Sequence, residues 1–483
     1  MKYQQIWKNN YLIVILVIAL IPRLFAAFFS MGYGMHDDHF GPIEQPFQIM
    51  NDISVWENKG EPHGHSIIYP ALHYYLFLGL EKVNITDPQD KMLIVRILHA
   101  FYSLLIVYFG FKIARLITSE QNAKITGLIL ALFWIFPFMS VRNLIEFVCI
   151  PPLLAGMYFV MRDDSKKSYV LAGAMFALSF IFRVQILLIP FGIGLILLFQ
   201  KKFTLLILLV IGLIATAFFT QGIVDWLAWG YPFAAFWTYF SYNATHSGEY
   251  TSGPFYNYLL LLFGILIPPT SIYFFKDYFV NWKNKLIIFL PSFLYLLFHS
   301  IFPNKQERFI LPFVPFFIIL GSKNFGEYLK KKVFKYFWIW FWVINSVLLI
   351  IFSFTYSKRS RVESFYYLSK KDDVKSVLVD CGKIGSMFNP TFYLNKYSVP
   401  IYTSWDTNPL DSIIPIIKVE PNYIIMYGND NQTERIETIE SRFQGKMKFE
   451  VEIAPSIIDI AFYHLNPKHN KNETAYIYKL IDE

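Results

Sequence analysis

The sequence predicts a polytopic α-helical membrane protein that ends in a small α/β domain. Of its 483 residues, 55% are hydrophobic and only 16% are charged, whereas a soluble domain is roughly one quarter charged. Apolar windows of about twenty residues, the length that crosses a bilayer as a helix, recur along the chain as far as residue 354. Beyond that point the windows stop, and short apolar segments typical of strands begin.

We expect about eleven membrane spans. The windows that predict them lie near 11–30, 93–117, 125–140, 147–161, 169–183, 184–199, 203–221, 257–275, 286–302, 309–322 and 336–354. If the N-terminus is cytoplasmic, most Lys and Arg clusters of the loops fall on the cytoplasmic side, as the positive-inside rule requires. An odd number of spans then puts the C-terminal segment outside. The predicted domains are 1–354, with a first outer loop at 31–92, and an extracytoplasmic α/β domain at 355–483.

The patterns of the C-terminal region predict strands around one clear helix. TERIETIESRF (433–443) is typical of an amphipathic helix. The segments that predict strands are KSVLVDCG (375–382), YSVPIYTS (397–404), PNYIIMYG (421–428), KFEVEIA (448–454) and AYIYKL (475–480). GKIGS (382–386) lacks the spacing of a phosphate-binding loop, so we expect no nucleotide site.

The predicted topology gathers the unusual polar residues of the chain at the outer face. These residues are Asp37, Asp38, Glu44, Arg142, Glu146, Arg183, Asp225, Asn243, His246, Glu307 and Arg308. The basic clusters determine which loops are cytoplasmic, and most of these polar residues do not belong to those clusters. Their position on one face is therefore an independent observation. Ionisable residues at membrane depth are costly and usually functional. We therefore expect one active-site cavity at the outer leaflet.

The stretch MHDDHFGPIE (35–44) places two aspartates directly after the first apolar window. Three interpretations fit Asp37 and Asp38. They cap and solvate a helix end, or one of them is a general base for a hydroxyl nucleophile, or together with His39 they hold Mg²⁺ or Mn²⁺. No further carboxylate cluster accompanies the pair, so we expect no metal and no other cofactor.

Arg142, Arg183 and Arg308 lie near the ends of predicted spans. The position of each single arginine is explained by snorkelling, in which the long side chain extends to the membrane interface. Together they are suited to a lipid phosphate at headgroup depth, because the planar guanidinium matches phosphate oxygens. A general base together with arginines that bind a lipid phosphate predicts one reaction class. In it, an acceptor hydroxyl attacks a sugar carried on a lipid phosphate, and the phosphate leaves.

The net charge of +8 does not predict a nucleic-acid partner. Cytoplasmic loops of membrane proteins collect Lys and Arg, and neither a basic patch nor an RNA-binding motif accompanies the charge. The partners that we expect are a lipid-linked donor, an acceptor and membrane lipid.

A series of segments occurs in the order found in a known family. They are MHDDHFGPIE (35–44), SIIYP (66–70), RILHAFYSLL (96–105), VRNLIEF (141–147), FIFRVQILLIP (180–190), VDWLAWGYPFAAFWTYFSYN (224–243) and HSIFPNKQERFILPFVPFF (299–317). They resemble glycosyltransferase family 22, the polyprenol-phosphate-mannose-dependent mannosyltransferases of the GT-C fold. The chain departs from the family where His65 replaces an Arg and Val184 replaces a Pro, so mannose is the expected sugar but not a fixed one.

The resemblance implies an inverting transfer of a sugar from a polyprenyl-phosphate donor to a hydroxyl of a glycan or glycolipid, on the outer or lumenal face. Asp37 matches the family's base and Asp38 the acid that follows it. A register shifted by one residue puts Asp38 on the base instead.

The resemblance also implies roles for the other polar residues. Three are expected to bind the donor phosphate, namely Arg308, Lys305 and Arg183. Four are expected to position the acceptor or the loops, namely Glu44, Glu146, Asp225 and His246.

Two other function classes stay open on the sequence. A transporter or flippase of a lipid-linked sugar uses intramembrane charges too, although such proteins often contain internal repeats and none is visible here. A protein-directed glycosyltransferase, such as an oligosaccharyltransferase or a protein O-mannosyltransferase, differs in its acceptor. The Lys-, Ile- and Phe-rich composition favours a bacterial plasma membrane, with the endoplasmic reticulum as the alternative.

Overall fold

The structure is a computed structural model that describes residues 2–62, 64–246, 248–249, 252–467 and 470–482. Its contacts divide the chain into two units. The helical unit comprises Met1–Phe28, Lys59–Leu72 and Val95–Ser353. The sheet unit comprises Phe29–Asn58, His73–Ile94 and Phe354–Glu483. The last of these junctions lies one residue before the predicted boundary between 354 and 355, and two parts of the predicted first outer loop belong to the sheet unit as well.

As far as Ser353 the described chain is built from helices. Its α-helices are Lys2–Phe29, Gln45–Asn51, Ser54–Glu57, Ile68–Lys82, Pro88–Ile117, Glu120–Leu132, Ile135–Ser140, Ile145–Val148, Ile150–Arg162, Lys166–Phe182, Leu188–Phe199, Phe203–Ala217, Ile223–Trp229, Ala234–His246, Asn257–Ile265, Thr270–Val280, Leu286–Ile301, Val314–Gly321, Phe325–Tyr328 and Lys332–Ser353. Shorter π and 3₁₀ turns join some of them, at Phe40–Glu44, Val184–Leu187, Phe218–Gly222 and Glu307–Ile310.

Several helices have the length and composition of membrane spans. Among the described residues, the five that are long and apolar enough are Asn10–Phe29, Pro88–Ile117, Ile145–Arg162, Phe203–Trp229 and Lys332–Ser353. Two shorter apolar helices are Val184–Phe199 and Leu286–Ile301. The other predicted windows contain helices that are interrupted or shorter, so the number of eleven spans stays a prediction.

The window predicted at 125–140 shows how such an interruption is tolerated. One helix ends at Leu132 and the next begins at Ile135. The buried amide of Asn345 covers the gap, because its Nδ2 donates to the carbonyl of Leu132 at 2.9 Å and its Oδ1 accepts from the N–H of Trp134 at 2.9 Å. Broken helices are stable in a bilayer only where such partners replace the missing backbone hydrogen bonds.

The helices Lys166–Phe182 and Phe203–Ala217 cross in close backbone contact. A Cβ on Gly173 would lie 2.1 Å from the carbonyl oxygen of Leu209, and one on Gly212 would lie 2.2 Å from that of Val170. Small residues at membrane-helix crossings permit this approach. The crossing fixes the end of the helix from which Arg183 emerges.

The C-terminal region forms one five-stranded sheet. Its strands are β1 Val377–Asp380, β2 Ile401–Ser404, β3 Tyr423–Tyr427, β4 Gly445–Ile453 and β5 Ala475–Asp482. The order is β2-β1-β3-β5-β4. β1 is parallel to β2 and β3, whereas β5 is antiparallel to β3 and β4. The buried strands β1 and β3 are almost entirely apolar, as expected for strands covered on both faces.

Four α-helices accompany the sheet. They are Arg359–Ser369, Leu410–Ile413, Gln432–Phe443 and Ile457–Leu465. Each strand lies within a segment that the sequence predicts as a strand, apart from small differences at the ends, and Gln432–Phe443 lies where a helix is predicted.

Within the sheet unit, the segment that follows the first apolar helix contacts the segment that follows the last one. The N–H of Ser357 donates to the carbonyl of Met31 at 3.0 Å, and Tyr397 donates to Asp52 at 3.2 Å. A chain makes such contacts only on one side of a bilayer. The predicted odd number of spans requires the two segments to lie on the same side, and their contacts agree with that requirement; the number of spans itself stays a prediction.

Candidate active site

The two adjacent aspartates of the first loop have different surroundings. Asp38 is 2% exposed, and its carboxylate accepts the N–H groups of Gly34 at 3.1 Å and of Met35 at 3.1 Å. It thereby closes the turn that precedes it, a frequent role of aspartate. Asp37 is exposed. Of the two side chains, that of Asp37 is therefore the one exposed to solvent.

Glu44 ties this loop to the C-terminal region of the sheet unit. It lies at the end of the π turn Phe40–Glu44 and is 3% exposed. Its two oxygens accept the N–H of Phe392, both at 2.9 Å, and the hydroxyl of Thr391 donates to it at 2.6 Å. His39 Nε2 lies 3.0 Å from Glu44 Oε1. Of the two predicted roles for Glu44, the geometry fits loop positioning.

Aromatic rings fix the histidine that meets Glu44. The ring of His39 is stacked on Tyr33, with centroids 4.5 Å apart, and on Tyr393, with centroids 5.4 Å apart. Both ring pairs are nearly parallel, with interplanar angles of 11°. Stacked buried rings leave few alternative rotamers, so this loop is held rigidly before substrate arrives.

Lys358 adds a cation to the same loop, and the sequence interpretation missed it. Its Nζ lies 4.5 Å from the centroid of the Tyr33 ring. Burial and, to a lesser extent, the positive charge of Arg361 together lower the pKa of Lys358 to about 8. The negative charges of Asp38, Asp459 and Asp37 oppose this change.

A signal for Lys358 does exist in the sequence. KRSR (358–361) follows the last apolar window, which the predicted topology ends at the outer face. A basic cluster there is an exception to the positive-inside rule.

A second cluster lies in the helical unit, where one carboxylate joins two arginines. Arg183 Nη1 donates to Glu146 Oε1 at 2.6 Å, and Arg308 Nε lies 3.3 Å from the same oxygen. Glu146 and Arg183 are 2% and 5% exposed. The guanidinium of Arg183 also lies 4.3 Å from the centroid of the Phe309 ring. The sequence predicted all three charged residues as site residues, and the fold brings them together.

Each member of this arginine cluster comes from a place where a helix breaks. Glu146 is in the short helix Ile145–Val148, and Arg183 separates Lys166–Phe182 from the 3₁₀ turn that follows it. Arg308 is in the 3₁₀ turn Glu307–Ile310. Irregular backbone at membrane depth is tolerated where it is buried in protein or lines a cavity, and a charged side chain there points to a binding function.

The arginine cluster, formed by Glu146, Arg183 and Arg308, brings two guanidinium groups to one carboxylate oxygen, Glu146 Oε1. Among the described residues, Glu146 Oε2 makes no hydrogen bond. Guanidinium groups bind phosphate oxygens well, because their planar fork of donors matches them. This arrangement is chemically suited to an anionic group.

Lys305 has a different position from the one expected of a phosphate ligand. Its ammonium donates to the carbonyls of His299 at 2.6 Å, Ser300 at 2.7 Å and Phe302 at 2.5 Å. These carbonyls end the helix Leu286–Ile301, where a cation is favourable. All three N–H bonds are engaged, so phosphate binding by Lys305 stays a prediction.

Asp225 and His246 lie apart from the arginine cluster in sequence and have separate local roles. Asp225 is fully buried, accepts from Gln221 Nε2 at 2.7 Å and accepts the N–H of Ala235 at 3.0 Å. It therefore caps the helix Ala234–His246. His246, the last residue of that helix, is partly buried, and its ring is stacked on Tyr242 with centroids 4.5 Å apart.

The family comparison identifies the class of enzyme. Residues 14–381 match the Alg9-like mannosyltransferase family. The chain belongs to this family. It is a GT-C mannosyltransferase and an integral membrane protein, so the predicted family, enzyme class and GT-C fold are confirmed, whereas the eleven spans and the extracytoplasmic position of the C-terminal domain stay predictions.

Relatives of known description agree with this assignment. The chain is 23% identical over 408 residues to the "Probable Dol-P-Man:Man(7)GlcNAc(2)-PP-Dol alpha-1,6-mannosyltransferase" of Schizosaccharomyces pombe, which covers 77% of this chain and 72% of the relative. The fold of the present chain is similar to that of ArnT from Cupriavidus metallidurans bound to undecaprenyl phosphate. The TM-score is 0.66 at 12% identity, and the match covers 97% of this chain and 98% of ArnT. The apo structure of ArnT gives a TM-score of 0.64 at 12% identity and covers 98% of each chain.

Proposed function

We propose that this mannosyltransferase transfers mannose from a polyprenyl-phosphate donor to a hydroxyl of a glycan or glycolipid, with inversion, at the extracytoplasmic face of the membrane. The observation that carries the donor assignment is the convergence of two guanidinium groups, those of Arg183 and Arg308, at the carboxylate of Glu146. The name of the Schizosaccharomyces pombe relative, which includes Dol-P-Man, and the undecaprenyl phosphate bound by ArnT support a lipid-phosphate donor.

The proposed reaction is a single displacement. The carboxylate of Asp37 accepts the proton of the acceptor hydroxyl, whose oxygen forms a bond to the anomeric carbon. The bond between that carbon and the phosphate oxygen breaks, and the lipid phosphate leaves with the electron pair. Arg308 and Arg183 stabilise the negative charge that develops on the leaving phosphate. Because no enzyme nucleophile takes part, the configuration at the anomeric carbon inverts.

The two aspartates are proposed to have different roles in catalysis. Asp37 is the base because it is exposed. Asp38 positions it, since its own oxygens are occupied by the N–H groups of Gly34 and Met35. The displacement needs no metal or other cofactor, so EDTA should leave the rate unchanged, whereas a loss that Mn²⁺ restores would contradict this part.

The side of the membrane follows from two supports. Contacts between the first loop and the C-terminal region, such as that of Ser357 with Met31, put both on one side. The positive-inside rule makes that side extracytoplasmic. The proposed location is a bacterial plasma membrane, with the endoplasmic reticulum as the alternative.

The test uses the purified protein in lipid nanodiscs with a radiolabelled polyprenyl-phosphate-mannose and extracted lipid-linked glycans. Asp37→Asn should lower the transfer rate by about 10³, within the usual contribution of a general base. Asp372→Asn, an exposed carboxylate of the sheet unit, is the matched control and should transfer at the parental rate. NMR of the product should show the anomeric configuration opposite to that of the donor. Parental rates in both Asp37→Asn and Asp38→Asn would refute the base assignment.

A further inference from the structure

Within the sheet unit, the loop that follows β1 contacts the loop that carries the aspartates. The ring centroid of Phe388 lies 4.3 Å from that of His36 and 5.5 Å from that of Phe40. The ring of His36 is in turn stacked on that of Phe40, with centroids 4.3 Å apart. The rings of His36, Phe40 and Phe388 therefore form a ring triad to which both loops contribute.

Much of the ring triad is exposed to solvent. Phe388 is 66% exposed, and Met35, which precedes His36, is 41% exposed. His36 is exposed as well, whereas Phe40 is partly buried. A phenylalanine that is exposed to this extent forgoes most of the stabilisation that its burial would contribute. A contiguous apolar patch of this kind, with polar residues at its rim, often marks a binding site.

The backbone on the C-terminal side of Phe388 is held in place by hydrogen bonds. The side-chain amide of Asn389 donates to Thr403 Oγ1 on β2 at 2.9 Å. Three residues further on, the N–H of Phe392 donates to the carboxylate of Glu44 at 2.9 Å. A ligand that meets a ring on an anchored loop loses little free energy to ordering that loop. The ring of Phe388 is therefore presented to solvent before any substrate binds.

The ring triad adjoins the proposed base. The carbonyl of His36 accepts the N–H groups of His39 at 3.2 Å and of Phe40 at 3.0 Å. Asp37 lies inside the turn that these bonds close, and its Cα is about 3.8 Å from that of His36. The side chains of Asp37, His36 and Phe388 are all exposed. A substrate whose hydroxyl contacts Asp37 therefore brings its neighbouring atoms close to exposed rings.

The chemistry of this patch favours a sugar over a lipid chain. One face of a pyranose ring presents mainly C–H groups, which pack on aromatic rings, and its hydroxyls form hydrogen bonds at the edge. An ionised carboxylate such as that of Asp37 accepts hydroxyl protons. The same carboxylate makes the patch unsuited to hydrocarbon, because ionised groups are costly inside a bilayer.

We propose that Phe388 is an acceptor-binding residue, whose ring, together with that of His36, stacks on the sugar that carries the attacking hydroxyl and orients this hydroxyl towards Asp37. This rests on the proposed function, because it takes Asp37 as the base and a glycan or glycolipid as the acceptor. The C-terminal region thereby takes part in the selection of the acceptor, and the ligand of the ring triad is a sugar that presents a C–H face.

The experiment measures transfer kinetics in nanodiscs for Phe388→Ala, Phe388→Tyr and Phe388→Leu. The acceptor, a pool of extracted lipid-linked glycans, is varied at saturating polyprenyl-phosphate-mannose, and the donor is then varied at saturating acceptor. Phe388→Ala should raise the apparent KM for the acceptor about tenfold, the size expected for one lost aromatic contact. The KM for the donor should not change, because the ring does not contact the donor.

The other two variants separate stacking from simple apolar contact. Phe388→Tyr keeps an aromatic ring and should have the parental KM for the acceptor, whereas Phe388→Leu is apolar without a ring and should resemble Phe388→Ala. Phe449→Ala removes a phenylalanine of β4 that is 52% exposed in the same unit, and as the matched control it should change neither constant. A parental acceptor KM in Phe388→Leu, or a raised donor KM in Phe388→Ala, would overturn the proposal.

A binding measurement distinguishes failure of this proposal from failure of the proposed function. The probe is the set of oligosaccharides released from the same lipid-linked glycans, and saturation-transfer NMR reports their binding to the parent and to Phe388→Ala. If Asp37→Asn is inactive but both proteins bind the oligosaccharides equally, the role of Phe388 fails and the proposed function stands. If Asp37→Asn transfers at the parental rate, the base assignment fails, while weaker binding by Phe388→Ala still supports the contact with a sugar. Should Phe388→Ala have a lowered melting temperature, the comparison of Phe388→Tyr with Phe388→Leu decides.

Discussion

The two charged clusters of this protein hold their carboxylates by different means. In the helical unit, Glu146 is balanced by the side chains of Arg183 and Arg308. In the sheet unit, Asp38 and Glu44 accept backbone N–H groups instead. The reason is that apolar helices use up their backbone donors internally, so a carboxylate among them depends on cationic side chains. Loops retain unpaired N–H groups that a carboxylate can accept.

This difference teaches what each cluster can bind. The arginine cluster brings two guanidinium groups together, which suits the phosphate of a lipid donor. In the sheet unit, backbone amides fix two carboxylates without neutralising them, which leaves Asp37 as an exposed acid on a rigid loop. One cluster is suited to the leaving group and the other to the proton of the acceptor, which are the two needs of a single displacement.

The largest expected effect comes from removal of positive charge in the arginine cluster. Arg308→Gln should lower kcat/KM for the polyprenyl-phosphate donor by about 10³, because one donor to the developing phosphate charge is lost. Arg308→Lys should keep part of the activity, since it keeps the charge but not the planar fork. Arg162→Gln, an exposed arginine paired with Asp163, is the control. Equal kinetics of Arg308→Gln and the parent would remove the donor role from this cluster.

The next effect tests whether the arginines depend on Glu146. Glu146→Gln removes the carboxylate charge that pairs with the buried Arg183, and loss of one partner of a buried pair costs about 3–5 kcal/mol. The melting temperature in nanodiscs should fall accordingly. Added polyprenyl phosphate should recover part of the loss, because it binds the folded state. An unchanged melting temperature would show that the cluster does not need a carboxylate.

A smaller effect is expected at the tie between the first loop and the sheet unit. Glu44→Gln weakens the charge-assisted hydrogen bonds from Phe392 and Thr391. Such bonds contribute about 1.5–3 kcal/mol. Hydrogen exchange of the Phe392 amide should become faster, and the transfer rate should fall with it. If exchange accelerates while the rate is parental, loop positioning by Glu44 does not matter for catalysis.

The smallest effect concerns the partly exposed carboxylate Asp87. Burial opposes ionisation, but hydrogen bonds from Lys370, Tyr366 and two backbone amides outweigh it and lower the pKa of Asp87. A lowered pKa contributes stability above the unfolded value of about 4, and the contribution disappears as pH falls through the folded value. Asp87→Asn should therefore cost under about 1 kcal/mol at pH 7, and its melting temperature should approach that of the parent as the pH falls through the lowered pKa of Asp87. A difference that grows as the pH falls would contradict this sign.

Local pattern was sufficient for the elements of this protein. Apolar windows predicted where helices lie because a side chain's burial in a bilayer depends on its own chemistry and its near neighbours. The same holds for β1 and β3, whose apolar runs reflect strands covered on both faces. Local pattern did not predict that the window at 125–140 is interrupted, because the amide of Asn345 that makes this break tolerable comes from another helix.

The sequence by itself determined which residues are candidates for the chemistry, and only the tertiary structure decided how they are held. The sequence does not distinguish the roles of Asp37 and Asp38. They differ in the structure because the carboxylate of Asp38 accepts the N–H groups of Gly34 and Met35. In the sequence, Lys358 is an ordinary basic residue beside an apolar window. In the structure, the bridge between Ser357 and Gly32 places it next to the first loop. Contacts between residues hundreds of positions apart depend on the packing of whole elements, and no window of sequence contains that packing.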